Sequence, residues 1–262
     1  MTNHIKPLKK FSQNFLQNKH IAERIVESLN CKQEDIILEI GAGKGVLTEH
    51  LIQHNCKKIT VIEIDRRLVK LLEEKFLYDL KIVQDSFLNI SFEEIADTNR
   101  IKVIGNIPYN ITSDIIFKLI ENYTYLERAV LMVQKEVANR LVAETKTKDY
   151  GILTIFTGLY STVKKLFDVD RENFYPVPNV DSSVVCLKFN VLQDSNIDYR
   201  LLKKIVRTGF NFRRKMLRNS LSKLFTAQTL AEITSVSLDK RPEELTIEEF
   251  KILTTEISQK ME

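Results

Sequence analysis

Three short runs of the sequence carry residue types that could do chemistry. Asn106-Ile107-Pro108-Tyr109-Asn110 sets an amide, a proline and an aromatic directly after the apolar run from Ile101 to Gly105. A core segment has little use for that trio, whereas a flat, amide-bearing ligand such as a nucleobase suits it. The second run is Gly41-Ala42-Gly43-Lys44-Gly45, which follows Ile36-Ile37-Leu38-Glu39-Ile40. Strand, glycine turn and helix in that order mark nucleotide-cofactor sites in α/β folds. A P-loop needs G-x-x-x-x-G-K-[ST], which is absent, and a nicotinamide turn wants its third glycine one residue later than Gly45. An acid just before G-x-G-x-G fits the turn that binds S-adenosylmethionine (SAM). The third set is acidic: Glu63 and Asp65 close an apolar run from Ile59, and Asp85-Ser86 closes Lys81 to Gln84.

These residues need elements that bring them to one edge. Apolar runs at 36–40, 59–64, 81–84, 101–105 and 129–133 read as strands, and the stretches between them as helices. A doubly wound sheet binds ligands at the carboxyl ends of its strands, which is where the three sets fall. Glu63 is assigned to a ribose and Asp65 to the cap of a helix from Arg66 to Phe76. Asp85 serves equally as an adenine acceptor, with Phe87 on the ring, or as a cap. Further helices are expected over Val46–His54, over Gln134–Glu144 with Val137, Leu141 and Val142 facing the core, and over Tyr150–Tyr160. Val163–Val169 and Val184–Phe189 read as a closing antiparallel pair. The proline-stiffened loop from Asn173 to Asp181 between them is a connector, or its aromatics face the site. Phe11 to Leu16 precedes a helix capped by Asn18, and is either a lid on the core or a loop over a cofactor.

Composition narrows the class. With 262 residues, 44% of them hydrophobic, and only 7 glycines and 5 prolines, the chain can bury a full core. It has no run of about 18 apolar residues to span a membrane, and Met1–Lys10 has no apolar segment typical of a secretory signal. Three separated cysteines (Cys31, Cys56, Cys186) suit a reducing cytoplasm, and no Cys or His spacing suggests a metal site. The net charge of +4 is uneven, with nine basic residues and no acid between Arg200 and Ala231. Such a run is commonly a solvated face. Beside a second basic block at the N-terminus, it also suits a polyanion partner. Gln193-Asp194-Ser195-Asn196 reads as a hinge, so the expected domains are 1–192 and a helical 193–262.

In order along the chain stand QNFL (13–16), LEIGAGKGVLT (38–48), VIEID (61–65), QDSF (84–87), NIPYN (106–110), VQKEVANRL (133–141), FYPVPNVDSSVV (174–185) and NFRRKMLRNSL (211–221). This ordered set resembles the rRNA adenine N6,N6-dimethyltransferases. The resemblance implies a Rossmann-like SAM-dependent methyltransferase sheet, mostly parallel with an antiparallel last strand, followed by a small all-helical domain. It implies SAM bound by Asn14, Leu16, Gly41, Glu63, Asp85 and Asn106, with Gly43 and Ser86 beside them. It gives Asn106 and the carbonyl of Ile107 the role of acceptors for an adenine amine, braced by Pro108. Tyr109 and Phe174 would stack on the two faces of the base. Lys203, Lys204, Arg207, Arg213, Arg214, Lys215 and Arg218 would meet RNA. Ser12 and Ile107 lean toward the erythromycin-resistance branch, which acts on large-subunit rRNA. VDSS (180–183) and RRKMLRNSL (213–221) lean toward the branch that acts on 16S rRNA in the small-subunit precursor, and the latter is favoured because that domain meets the RNA. The family implies a monomer. A non-catalytic ribosome-assembly factor and a nicotinamide oxidoreductase remain as alternatives, the second disfavoured by NIPY.

Overall fold

A computed structural model describes residues 5–76, 80–96, 100–190 and 197–261. The chain runs β1 (Phe15–Leu16), α1 (Lys19–Leu29), β2 (Ile36–Ile40), α2 (Val46–Ile52), β3 (Lys58–Ile62), α3 (Arg66–Phe76), β4 (Lys81–Val83), α4 (Glu93–Ala96), β5 (Ile101–Asn106) and α5 (Thr112–Glu121). It continues β6 (Leu126–Gln134), α6 (Lys135–Leu141), α7 (Ile152–Tyr160), β7 (Ser161–Val169), β8 (Phe174–Tyr175), β9 (Ser182–Phe189), α8 (Tyr199–Asn211), α9 (Leu217–Leu221), α10 (Ala227–Ala231) and α11 (Ile247–Gln259).

Seven strands form one sheet in the order β4-β3-β2-β5-β6-β9-β7. The first five are parallel, and β9 runs antiparallel to both β6 and β7. This is the doubly wound, mostly parallel sheet with an antiparallel last strand that the sequence implies. Every residue of β2 is buried, as expected of a parallel strand covered on both faces. One cover comes from Ala22, Ile25, Val26 and Leu29 of α1 with Leu47 and Leu51 of α2, packed with Ile37, Val61, Ile104 and Val130. Each fully buried Val, Leu or Ile side chain among these contributes about 1.5–3 kcal/mol.

Local signals behave as their chemistry requires. Asn18 accepts from the N–H groups of His20 and Ile21 at the start of α1, and Asp65 accepts from Arg67 N–H at the start of α3. The ends move. Helix α2 stops at Ile52, and β6 keeps Gln134, so α6 is confined to Lys135–Leu141. Val142, expected in the core, lies beyond that helix and is exposed. Cys31 and Cys56 are brought together. Burial first, then the neighbouring Cys56, push the Cys31 thiol up to about 12, so it stays protonated at neutral pH.

By packing, the chain forms two compact units: Met1–Asn139 with Tyr160–Val191, and Arg140–Leu159 with Leu192–Glu262. The expected hinge at 193–196 lies outside the described residues. Helix α7 thus belongs largely with the C-terminal helices, where Ile247 presses on Gly158 and Tyr150 Oη donates to the Leu245 carbonyl at 2.7 Å. No helix of the described residues is long and apolar enough to cross a membrane.

Gly105 lies in β5 beside the end of β2. A Cβ there would stand 2.7 Å from the Ile40 carbonyl oxygen, a backbone atom that cannot swing away. Gly105→Ala is therefore expected to cost about 1–3 kcal/mol, read as a lower urea midpoint at unchanged m-value.

Candidate functional site

The carboxyl edge of the parallel strands carries a pocket, lined by the Phe11–Leu16 strap, residues 39–44, 46–47, 62–64, 85–87 and 106–109. It therefore joins Asn14, Leu16, Gly41, Gly43, Glu63, Asp85, Ser86, Asn106, Ile107, Pro108 and Tyr109. All of these are sequence candidates.

The glycine turn is built for close approach. Gly41, Gly43 and Gly45 all have positive φ, at 65°, 58° and 78°, which a side chain would strain. A Cβ on Gly43 would press on the Phe15 ring at 3.1 Å, and one on Gly45 would stand 2.6 Å from Phe76. Gly43 N–H donates to Glu63 Oε2 at 2.9 Å, and Asp65 N–H to Glu63 Oε1 at 2.9 Å. Glu63 thus ties the turn to the end of β3. Burial pushes its carboxyl up, opposed by these two N–H donors.

Glu39 is fully enclosed. Thr48 Oγ1 donates to its Oε2 at 2.7 Å, while Oε1 is buried without a hydrogen-bond partner among the described residues. Burial pushes this carboxyl up to about 7. Asp65 is the opposite case. Hydrogen bonds from the Arg67 guanidinium and from Gln13 hold it near 2. Its bonding is fully engaged in the helix start and the strap, and the acids that line the pocket are Glu39, Glu63 and Asp85. Asp85 accepts from Ser86 N–H and Asn89 Nδ2 through Oδ1, and Ser86 caps the turn at Leu88. Both line the pocket. Phe87 is buried edge-on to Phe92, with ring centroids 5.8 Å apart.

Asn106 ends β5. Its Nδ2 donates to the Asn14 carbonyl at 2.9 Å, which fixes the amide and turns Oδ1 the other way as an acceptor. Ile107 N–H donates to the Met132 carbonyl at 3.3 Å. Pro108 sits at φ −60°, and its carbonyl accepts from Thr112 Oγ1 at 3.1 Å. The half-buried Tyr109 shares a 2.6 Å hydrogen bond with Ser182 Oγ.

Phe174 is not brought to the pocket wall. It is 2% exposed, and it packs with Leu16, Ala22 and Ile25 in the core. Phe174 pairs with the buried Leu16, while the next residue, Tyr175, pairs with Phe15 and is 57% exposed. The seven basic candidates also divide. Arg213 is consumed inside its own unit, by Glu243 and by the carbonyls of Thr147 and Lys148. Arg218 pairs with Asp239 at 2.8 Å. Lys203 is half-buried, and Lys204, Arg207, Arg214 and Lys215 are exposed.

Sequence reasoning missed Phe15, Gln13 and Ser182 as parts of the site. QNFL contained two of them, but a two-residue strand gives no periodic signal. Ser182 is joined to Tyr109 only by the fold.

Three positive-φ glycines, a buried unpaired carboxylate oxygen, and acids at successive strand ends suit a ligand with ribose hydroxyls, a base and a cationic amino-acid tail. The sheet and this pocket define a SAM-dependent methyltransferase. The comparisons narrow the class. The family described as Ribosomal RNA adenine dimethylase matches residues 5–259. "Ribosomal RNA small subunit methyltransferase A" of Mycoplasma mobile is 36% identical over 95% of this chain and 98% of its own. The protein of the same name from Metamycoplasma arthritidis is 45% identical over 81% of this chain and 80% of its own. Among solved structures, a dimethyladenosine transferase from Plasmodium falciparum superposes with a TM-score of 0.81 at 28% identity, covering 94% of this chain and 98% of its own. The 23S rRNA methyltransferase ErmE superposes at 0.71 with 27% identity, covering 94% and 100%. The chain belongs to the ribosomal RNA adenine dimethylase family and is an rRNA adenine dimethyltransferase that uses SAM as methyl donor.

The raised Glu39 pKa carries a sign. A carboxyl whose folded pKa exceeds its unfolded value opposes folding once ionised, so its burden grows as pH rises from about 4.5 to about 7. Glu39→Gln should therefore raise the melting temperature of the ligand-free chain more at pH 8 than at pH 4.5.

Proposed function

We propose that this chain dimethylates the N6 amines of two adjacent adenosines in a hairpin near the 3′ end of 16S rRNA, within a small-subunit precursor. The observation that carries the reading is the Asn106 amide, locked by Asn14 at the wall of a pocket that also holds the glycine turn and Glu63. An exocyclic adenine amine is a weak nucleophile because its lone pair is delocalised into the ring. Acceptors at Asn106 Oδ1 and the Ile107 carbonyl would draw its two N–H groups out of the ring plane and localise that lone pair. Pro108 restricts the backbone that carries the Ile107 carbonyl. Tyr109 is the stacking platform, worth roughly 1–3 kcal/mol per base, against an unstacking cost of a few kcal/mol. SAM supplies a sulfonium-activated methyl group. The protein's own share is positioning.

Within this reading, Asn14, Leu16, Gly41, Gly43, Glu63, Asp85, Ser86 and Asn106 hold the cofactor. Of the basic residues, Lys204, Arg207, Arg214 and Lys215 are suited to RNA phosphates because their side chains face solvent, with half-buried Lys203 beside them. Arg213 is reassigned to holding the fold, while Arg218, exposed beside Asp239, stays with the residues suited to RNA. The enzyme acts as a monomer in the cytoplasm, where ribosomal subunits are assembled. A second reading, methylation of large-subunit rRNA, draws on the likeness to ErmE. The relatives at 36–45% identity that bear the small-subunit name favour the first.

Labelled SAM offered with undermethylated small subunits, large subunits and naked rRNAs tests the choice, and transfer to large subunits alone would overturn it. Asn106→Ala should abolish transfer at unchanged melting temperature; near-normal transfer would remove Asn106 from the chemistry. Lys204→Ala with Arg207→Ala should lower RNA affinity and flatten its log–log salt dependence by about 1–2. Arg213→Ala should instead lower the melting temperature.

A further inference from the structure

We infer that Ser182 is a positioning residue that holds the Tyr109 ring in its stacking plane, an inference that rests on Tyr109 being the base platform. Tyr109 opens a short 3-10 turn immediately after Pro108. A ring on such a turn is tethered to the backbone at one end only. Its other end meets Ser182, whose Oγ lies 2.6 Å from the phenol oxygen. Ser182 is 0% exposed and is the first residue of β9, paired with Gln134 of β6 on one side and Val169 of β7 on the other.

Its neighbours are anchored in turn. Lys135 N–H donates to the Asp181 carbonyl at 3.0 Å. Ser183 Oγ donates to Asp168 Oδ1 at 2.7 Å. Lys165 and Lys135 pair with the same carboxylate at 2.7 and 3.1 Å. The hydroxyl that meets Tyr109 therefore belongs to a strand fixed on both edges. A ring held at Cβ by the turn and at Oη by this strand presents one face before a base arrives. Removing either oxygen leaves the ring free to swing about its side-chain torsions, and a base stacked on it loses alignment with Asn106.

The experiment measures methyl transfer to undermethylated small subunits, together with S-adenosylhomocysteine affinity and melting temperature, for Ser182→Ala, Tyr109→Phe, the double variant and Ser182→Thr. Ser182→Ala and Tyr109→Phe should each lower kcat roughly 3–10-fold, the scale of one lost neutral hydrogen bond. S-adenosylhomocysteine affinity should stay unchanged, which separates lost alignment from a general defect. The double variant should lose no more than the worse single variant, because both remove one interaction. Ser182→Thr, which keeps the hydroxyl, should recover most of the rate. Losses that multiply in the double variant would overturn the inference, as would a wild-type rate in Ser182→Ala. If Ser182→Ala does not fold, a wild-type rate in Tyr109→Phe overturns it as well. Full activity in Tyr109→Ala would instead remove the platform reading itself.

Discussion

Parallel pairing of β2, β3 and β5 is the constraint on which the rest of this molecule depends. Parallel strands send every carboxyl end to the same edge, and the register here aligns Ile37 with Lys102 and with Ile59. Glu39, Glu63 and Asn106 sit at or just past the ends of those strands, so the sheet edge itself brings them together. The approach is close enough at Gly105 that a methyl group would meet the Ile40 carbonyl. The glycine lets β5 carry Asn106 to that edge.

The acids at that edge are differentiated by surroundings rather than by type. Asp65 is charged and fully engaged by Arg67 and Gln13. Glu63 is buried but has two backbone donors, and Glu39 is buried with one oxygen unpaired. A carboxylate enclosed without donors is costly in its charged form. Among the described residues, Glu39 has a donor, Thr48, on one oxygen alone, while both oxygens of Asp65 are engaged. The strap from Phe11 to Leu16 closes the same region, since it holds Asn106 through Asn14 and rests Phe15 on Gly43. Asn106 and the glycine turn thus share a wall.

The C-terminal unit shows a different sorting. A stretch of uniform positive charge in sequence becomes two populations once helices pack. Arg213 turns into its own unit to satisfy two carbonyls and Glu243, because a guanidinium's planar donors match such a cluster. Lys204 and Arg207, on the solvent side of α8, stay exposed. Helix α7 joins this unit although it is encoded before β7 and β9. No linker composition marks that insertion, so a boundary read from polar residues near 193 could not show it.

Strand periods, the three glycines, the caps at Asn18 and Asp65, and the ordered motifs from QNFL to NFRRKMLRNSL were legible because each is a local pattern with a local cause. They determined the sheet class, the family, and which residues gather at the strand ends. Facing and partnership were decided only in three dimensions. Packing of the two-residue strand against Leu16 and the core buried Phe174 and left Tyr175 outward. Pairing of β9 beside β6 delivered Ser182 to Tyr109 across 73 residues of sequence. Burial set the proton affinity of Glu39. Each of these depends on what surrounds a side chain after folding, and that information lies in packing rather than in any short stretch of the chain.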